Sequence, residues 1–165
     1  MYTMVRILPM DQEYEFVQAS IKEVQNDFFL KELPSRKDLH GQGKYCYKTK
    51  GMQADEGTTL VLFQYDNKII ACSDLYKVIK LEVPEDVYHG AFYFNPSSIK
   101  VFDEVSNEDI NNIFNCTIKF VQIKHNLDSS YIPAFTNNLN NTRKVDMNNL
   151  QINERPTCIP DLRNN

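Results

Sequence analysis

The sequence predicts a mixed α+β domain organised around a β-hairpin between Thr58 and Val78. An apolar run, Leu60 to Phe63, is followed by Asp66-Asn67, and the apolar pattern resumes at Ile69. Asp and Asn tolerate the positive φ angles that a two-residue hairpin turn requires. Since apolar residues flank this turn on both sides, we expect the hairpin to be central in its sheet.

A short strand and an amphipathic helix precede the hairpin. Met4 to Leu8 is an apolar run ended by Pro9, which is typical of a first strand. Asp11 is a predicted N-cap, and Leu33-Pro34 is the predicted helix end. The apolar residues between them recur at helical spacing and predict about five turns. They are Tyr14, Val17, Ile21, Val24 and Phe28.

The elements after the hairpin are shorter. We expect the acidic connection Lys80 to His89 to lie in solvent. The remaining predicted elements are a strand at Gly90 to Phe94, a turn at Asn95 to Ser98, a strand at Ile99 to Val105, a helix capped by Ser106, a strand or helix entry at Ile118 to Ile123, and a closing helix from Ser130 to Leu139. Residues 1–140 are expected to form one domain, and 141–165 an asparagine-rich tail, arm or linker.

Composition favours one domain and excludes a strongly basic surface. The chain has 165 residues, 42% of them hydrophobic, which is enough for one core. Its formal net charge of −4 gives no bulk attraction to phosphates, so any nucleic-acid binding must be local. Four widely spaced cysteines, without a CxxC motif, argue against a zinc site and a disulfide scaffold. We therefore expect a cytoplasmic protein, without a signal peptide or membrane span.

The stretch from Ser35 to Gly57 carries the first group of candidate binding residues. It is basic and contains glycines, which predicts a long loop with a short strand around Cys46. Aromatic rings beside cations can stack on a base and hold phosphates. The alternative is a mobile basic loop that two tyrosines anchor to the core. The candidates are Tyr45, Tyr47, Lys44, Lys48 and Lys50.

Two later strands carry polar residues among apolar ones. Ser73 and Asp74 lie just past the middle of the hairpin's second strand, and Tyr93 and Asn95 lie at the end of the next strand. Such groups are typical of a pocket on a sheet surface, but hydrogen bonds within a strand or turn are the commoner explanation.

The residues make only a weak case for catalysis. The sequence has no glycine-rich phosphate loop, no G-x-S-x-G motif and no histidine pair at ligand spacing. A metal-dependent nuclease site at Asp55-Glu56, Asp66 and Lys68 is an alternative that turn chemistry also explains. We expect a protein that is not an enzyme by itself and has no cofactor.

The order of elements and two stretches resemble a PUA-like domain of the EVE/ASCH type. The stretches are ADEGTTLVLFQYDNKIIACSDLYKV and GAFYFNPSSIKVF. In that family a G-D-like turn leads into the barrel, and residues 55–58 occupy its place here. The chain is also similar to the amino-terminal domains that precede HNH-type nuclease modules in modification-dependent restriction proteins. No HNH signature is present in this sequence.

This resemblance implies a small curved β-barrel with flanking helices. It also implies a pocket that accepts a flipped or modified base between aromatic residues. The expected partner is therefore DNA, or RNA, with a modified or extruded base. A homodimer or a downstream nuclease is a further partner left open. The alternative function is a protein-interaction or regulatory module whose acidic surface binds a basic partner.

Overall fold

The computed structural model describes residues 1–11, 16–48, 51–121 and 123–158. Its strands are β1 (Met4–Pro9), β2 (Arg36–Asp38), β3 (Gly41–Gln42), β4 (Lys44–Lys48), β5 (Thr59–Tyr65), β6 (Lys68–Glu85), β7 (Tyr88–Phe94), β8 (Lys100–Ser106), β9 (Asn126–Leu127), β10 (Arg143–Lys144) and β11 (Asn153–Glu154). Its helices are α1 (Ile21–Glu23), a π-helical segment (Val24–Glu32), α2 (Leu33–Ser35), α3 (Asn107–Phe114) and α4 (Ile132–Asn137). The predicted α+β class is confirmed.

A large mixed sheet forms the centre of the molecule. Its strands lie in the order β10, β8, β6, β5, β1, β9. The first part of β6 pairs with β5 and β8, and its second part pairs with β7, which in turn pairs with β4. The long strand β6 therefore connects both halves of the sheet.

The predicted central hairpin is confirmed. Strands β5 and β6 are antiparallel, and Asp66 and Asn67 form the turn at φ angles of 50° and 59°. Strand β5 also pairs in parallel with β1, and all of its residues are buried. Burial on both faces explains why its sequence is almost continuously apolar.

A β-bulge at Ile70 interrupts the alternation of faces along β6. Phe63 pairs with Ala71, but Gln64 pairs with Ile69, so Ile70 is the extra residue. As a result Ile69 joins the core cluster that contains Cys72, whereas Ile70 joins the cluster that contains Ala71. The pairing with β5 is again regular from Ala71 to Leu75.

The side chain of Gln25 binds the backbone at this bulge. Its Nε2 atom donates to the carbonyl oxygens of Ile70 at 2.9 Å and Phe102 at 2.7 Å. Gln25 is buried, and so this amide satisfies backbone acceptors inside the core.

Charged residues at the end of β6 belong to a second hairpin. The sequence predicted a solvated connection from Lys80 to His89, and this prediction is wrong, because β6 continues to Glu85 and β7 begins at Tyr88. The predicted strands at β7 and β8 and the turn between them are confirmed, with a 3₁₀ turn at Pro96–Ser98. The long loop predicted from Ser35 to Gly57 is wrong in part, because it also contains β2 and β3. The short strand predicted around Cys46 is confirmed as β4.

The first helical region begins later than predicted. Ser20, not Asp11, is its N-cap, and the Ser20 hydroxyl accepts from the backbone N–H of Glu23 at 3.1 Å. Val17 lies before this helix and is 57% exposed, and Tyr14 lies outside the described residues. The helix covers one face of the sheet with four buried apolar residues, namely Val24, Phe28, Phe29 and Leu33.

The opposite face of the sheet carries the second core. The predicted helix after Ser106 is confirmed as α3, and the Ser106 hydroxyl caps its first turn. The predicted closing helix is confirmed as α4. Their buried side chains pack on β1, β5 and β8 and include Ile110, Phe114, Ile132 and Phe135. No regular element forms at 118–121 or at Ile123 among the described residues of the predicted strand or helix entry.

The described part of the C-terminal segment, residues 141–158, packs on the domain, and we call it the arm. Strand β10 pairs with β8, and β11 pairs in parallel with β2. The arm ends in a disulfide between Cys158 and Cys46 of β4, with a Cα–Cα distance of 5.7 Å. The wide spacing of the cysteines predicted no disulfide scaffold, and a pair 112 residues apart leaves no local signal in the sequence.

Across the described ranges, the helices are all too short or too polar to cross a membrane.

Candidate functional site

Strand β4 carries four of the candidate residues, and its alternation divides them between two faces. Tyr45 and Tyr47 belong to the core cluster beneath the first helix. Cys46 lies among the residues packed around Cys158, on the opposite face. The sequence KYCYK therefore does not present its rings and its first lysine to a single ligand.

Tyr45 is a core residue. Its ring lies against the rings of Phe28, Phe63 and Phe94, with centroids 5.9 to 6.2 Å apart. The side chain is almost fully buried, which leaves no ring face for a base. The aromatic body of this tyrosine stabilises the contact between the first helix and the sheet.

Lys44 and Tyr93 meet at the buried carboxylate of Asp38. The Tyr93 hydroxyl donates to Asp38 Oδ2 at 2.6 Å, and Lys44 Nζ lies 3.1 Å from the same oxygen. Backbone N–H groups of His40 and Gly41 donate to Oδ1 at 2.8 and 3.3 Å. The carboxylate is thus satisfied on both oxygens.

The electrostatics of this cluster agree with a structural role. Burial alone would raise the pKa of Asp38, but the bonds from Tyr93, His40 and Lys44 outweigh it and hold that pKa below its usual value. Burial, together with the Asp38 carboxylate, raises the pKa of Tyr93. Both effects keep the carboxylate charged and the phenol neutral at pH 7.

Ser73, Asp74 and Asn95 form a network around the 3₁₀ turn between β7 and β8. Ser73 Oγ lies 2.9 Å from Ser98 Oγ, which also accepts from the backbone N–H of Asp74 at 2.8 Å. Asn95 Oδ1 accepts from the N–H of Ser97 at 3.2 Å and caps the turn. The Asp74 carboxylate accepts from the hydroxyl of Tyr2. These polar groups bind one another, as the alternative interpretation of the sequence expected.

The two remaining lysine candidates are Lys48 and Lys50. Lys48 forms an ion pair with Asp11 at the partly exposed end of β4. Lys50 lies outside the described residues.

Tyr47 is the candidate that reaches a pocket. Its ring stacks on Phe92 with centroids 4.5 Å apart, and its position on β4 is opposite Gly90 of β7. A Cβ atom at Gly90 would overlap both the Tyr47 hydroxyl and the carbonyl of Ile79. The absence of a side chain at Gly90 therefore lets the tyrosine lie flat across β7.

Lys80 lies on the other side of Gly90. It pairs with Gly90 across the β6–β7 ladder, so Tyr47, Gly90 and Lys80 form one row across three strands. Side chains at paired positions share a sheet face, which directs Lys80 to the same face as the Tyr47 hydroxyl. This lysine was assigned to the solvated connection in the sequence analysis, because its pairing partner is not local.

His89 reaches the same place through a bulge. Tyr47 pairs with Gly90, but Lys48 pairs with Tyr88, so His89 is the extra residue in β7. Bulges redirect side chains relative to regular alternation. His89 lines the pocket as a consequence, although simple alternation would place it on the opposite face from Gly90.

Together these residues line an open pocket of about 680 Å³, which we call the Tyr47 pocket. Its walls are Tyr47, Gly51, Met52, Gln53, Val78, Lys80 and His89. The volume lies within the usual range for small-molecule sites. Among the described residues, its lining contains a lysine and no carboxylate, which favours a ligand with negative charge or hydrogen-bond acceptors.

The polar side chains of the Tyr47 pocket have no hydrogen-bond partner among the described residues. This applies to the Tyr47 hydroxyl, the Lys80 ammonium, the His89 ring and the Gln53 amide. Burial raises the pKa of Tyr47, so its hydroxyl is a neutral donor and acceptor at pH 7. Four polar side chains thus border the pocket together with the apolar side chains of Met52 and Val78, and none of the four has a partner in the described part of the chain.

A larger groove of about 1130 Å³ separates the first helix from the arm. Its charged lining residues are balanced in sign: Asp27, Glu32 and Asp146 against Lys31, Arg143 and Lys144. It has no aromatic side chain in its lining, so its chemistry favours neither a base nor an anion. Within the described ranges there is also no cluster of three His, Cys, Asp or Glu side chains suited to a metal ion.

Comparisons of the chain with protein-family models, with curated proteins and with solved structures gave no match.

Proposed function

We propose that this chain is a nucleic-acid-recognition domain that receives a modified or extruded base in the Tyr47 pocket. The observation that carries the proposal is a pocket bordered by four polar side chains, without partners among the described residues, and by the apolar side chains of Met52 and Val78. A base is a flat apolar ring with hydrogen-bonding edges, and it is attached to an anionic backbone. The apolar side chains, the polar groups and Lys80 complement these three features.

The proposed recognition differs from the stacking between tyrosines that the sequence suggested. Phe92 already covers one face of the Tyr47 ring, and Gly51 lies close to its edge. We therefore propose that Tyr47 contributes its hydroxyl to the base edge, while Met52 and Val78 contact the ring of the base. Lys80 then binds a neighbouring phosphate.

We propose that the sheet is the curved barrel of a PUA-like domain, with β6 as the strand shared by both halves. Register shifts in the pairing of β6 with each of β5, β7 and β8 support this, because bulges bend strands and increase their twist.

The test measures binding of labelled DNA and RNA, single-stranded and duplex, unmodified or carrying modified cytosine or adenine. Lys80→Met is compared with Lys119→Met, an exposed lysine outside the Tyr47 pocket, so that both variants lose the same charge. We expect Lys80→Met to weaken binding about tenfold, since a charged hydrogen bond contributes about 1.5 to 3 kcal/mol. Lys119→Met should change binding less than about twofold, since a distant exposed charge acts only through a screened field.

Tyr47→Phe tests the hydroxyl alone, because it keeps the stack on Phe92. We expect it to reduce preference for the modified base by about threefold to tenfold, with little effect on unmodified strands. Equal weakening by Lys80→Met and Lys119→Met would refute the pocket as the binding site. If no member of the panel bound, even at low salt, the proposed function itself would be wrong, and protein partners would be tested next.

A further inference from the structure

We infer that the Cys46–Cys158 disulfide is a redox-dependent latch that holds the arm on the domain. This inference does not depend on the proposed nucleic-acid binding, and it concerns the sheet face opposite the Tyr47 pocket.

The arm passes over β2 and β4 before it reaches the disulfide. The backbone N–H of Arg155 donates to the carbonyl of Lys37 at 2.7 Å, and its carbonyl accepts from Lys44 Nζ at 2.8 Å. The N–H of Cys158 donates to a Glu85 carboxylate oxygen at 2.7 Å. Each of these anchors is a single polar contact, and a typical hydrogen bond contributes only about 0.5 to 1.5 kcal/mol net.

Val145 and Leu150 anchor the first part of the arm in the core, but the part that leads to Cys158 buries little apolar surface. From residue 151 to residue 157 every residue is exposed except Arg155, which is half-buried. Segments with few apolar contacts and short ladders open at low free-energy cost. The disulfide is therefore the strongest constraint on the end of the arm, since it fixes Cys158 to a strand 112 residues away.

Cys158 covers an aromatic cluster on β6 and β7. It is buried against Tyr88, Ala91 and Tyr93, with Tyr76 and Ile79 partly buried around them. Its sulfur also lies 3.8 Å from the carbonyl oxygen of Gly90. Release of Cys158 would uncover this cluster on the back of the strands that form the Tyr47 pocket.

The chemical step is exchange with a dithiol. A thiolate of the dithiol attacks Cys46, which is half-buried while Cys158 is buried, and forms a mixed disulfide as Cys158 leaves as a thiolate. The second thiol of the reagent then closes its own disulfide and releases Cys46. Two electrons pass from the reagent to the protein pair, and each released thiolate takes up a proton.

The experiment is amide hydrogen exchange followed by mass spectrometry, on the full chain with and without a dithiol. We expect reduction to accelerate exchange at least tenfold in peptides that contain the Arg155 and Cys158 amides. Peptides from the β5–β6 hairpin should keep their protection, which shows that the domain remains folded.

Two cysteine variants complete the test. Cys158→Ser should show the fast exchange of the arm with or without dithiol. Cys116→Ser removes a half-buried free thiol and should respond to dithiol as the parent chain does. Equal arm protection in the oxidised and reduced chain would overturn the latch. A second measurement counts free thiols by alkylation after protein prepared under oxidising conditions has been unfolded. Four free thiols would also overturn the latch.

Discussion

The buried pair of Asp38 and Lys44 gives the sharpest test of the structure, because the sequence suggested that Lys44 contacts phosphate. Both side chains are about 5% exposed, and their charged atoms lie 3.1 Å apart. Asp38→Asn keeps the volume but leaves the ammonium without its carboxylate. Removal of one partner from a buried ion pair costs about 3 to 5 kcal/mol, so we expect this loss in the free energy of unfolding.

The reverse change should cost less. Lys44→Met leaves a carboxylate that still accepts from Tyr93, His40 and Gly41. We expect a loss of about 1 to 3 kcal/mol, in the range for a lost hydrogen bond to a charged group. The double variant should lose less than the sum of the single losses, by about 1 to 3 kcal/mol, because the two sites interact directly.

Urea denaturation at pH 7, followed by circular dichroism, gives the free energy of unfolding of all four proteins. No oxidant or reductant is added to the samples. Such losses are large relative to the total stability of a typical domain, which is about 5 to 15 kcal/mol. Additivity within about 0.5 kcal/mol would refute the direct pairing. An unchanged stability in Lys44→Met would show that Lys44 is free to bind a ligand.

Two further predictions concern the same part of the fold. Because the pKa of Asp38 is lowered on folding, its contribution to stability is present above the ordinary aspartate pKa of about 3.9 and is lost as the pH falls through the pKa of the folded state. The free energy of unfolding should therefore fall less steeply with acid in Asp38→Asn than in the parent chain. Parallel curves for the two proteins would contradict this. Gly43 and Gly57 both have positive φ angles, 66° and 84°, but a Cβ atom at Gly43 would overlap the carbonyl of Phe94, whereas Gly57 faces open space. We expect Gly57→Ala to lower the free energy of unfolding by about 1 to 2 kcal/mol, and Gly43→Ala to lower it by at least about 2 kcal/mol more. Equal urea midpoints for the two variants would exclude the close contact between Gly43 and Phe94.

Features determined by neighbouring residues could be predicted from the sequence. Asp66-Asn67 specifies the hairpin turn through its own backbone preferences, and Ser106 caps α3 within one turn. The helix start was missed although its signal is local. Ser20 and Glu23 form a capping box, S-x-x-E, which the periodicity of the preceding apolar residues obscured.

Features determined by distant residues could not be predicted in this way. Lys80 has the surroundings of a solvated connection in the sequence, and only its pairing with Gly90 places it in the sheet. The bulge that redirects His89 depends on the register between β4 and β7. Lys80 and His89 were therefore not among the predicted binding residues, whereas Tyr47 was predicted from its residue type and its strand.

The alternation of β4 explains why the predicted set of binding residues divides into two. In a strand, successive side chains point to opposite faces, and so Tyr45 and Tyr47 pack beneath the first helix while Cys46 meets the arm. Lys44 is held on the arm's side by Asp38 and the carbonyl of Arg155. For the proposed ligand at the Tyr47 hydroxyl, a cationic contact is available on a neighbouring strand. Lys80 is in position for this contact, because Gly90 separates it from Tyr47 by one strand on the same face.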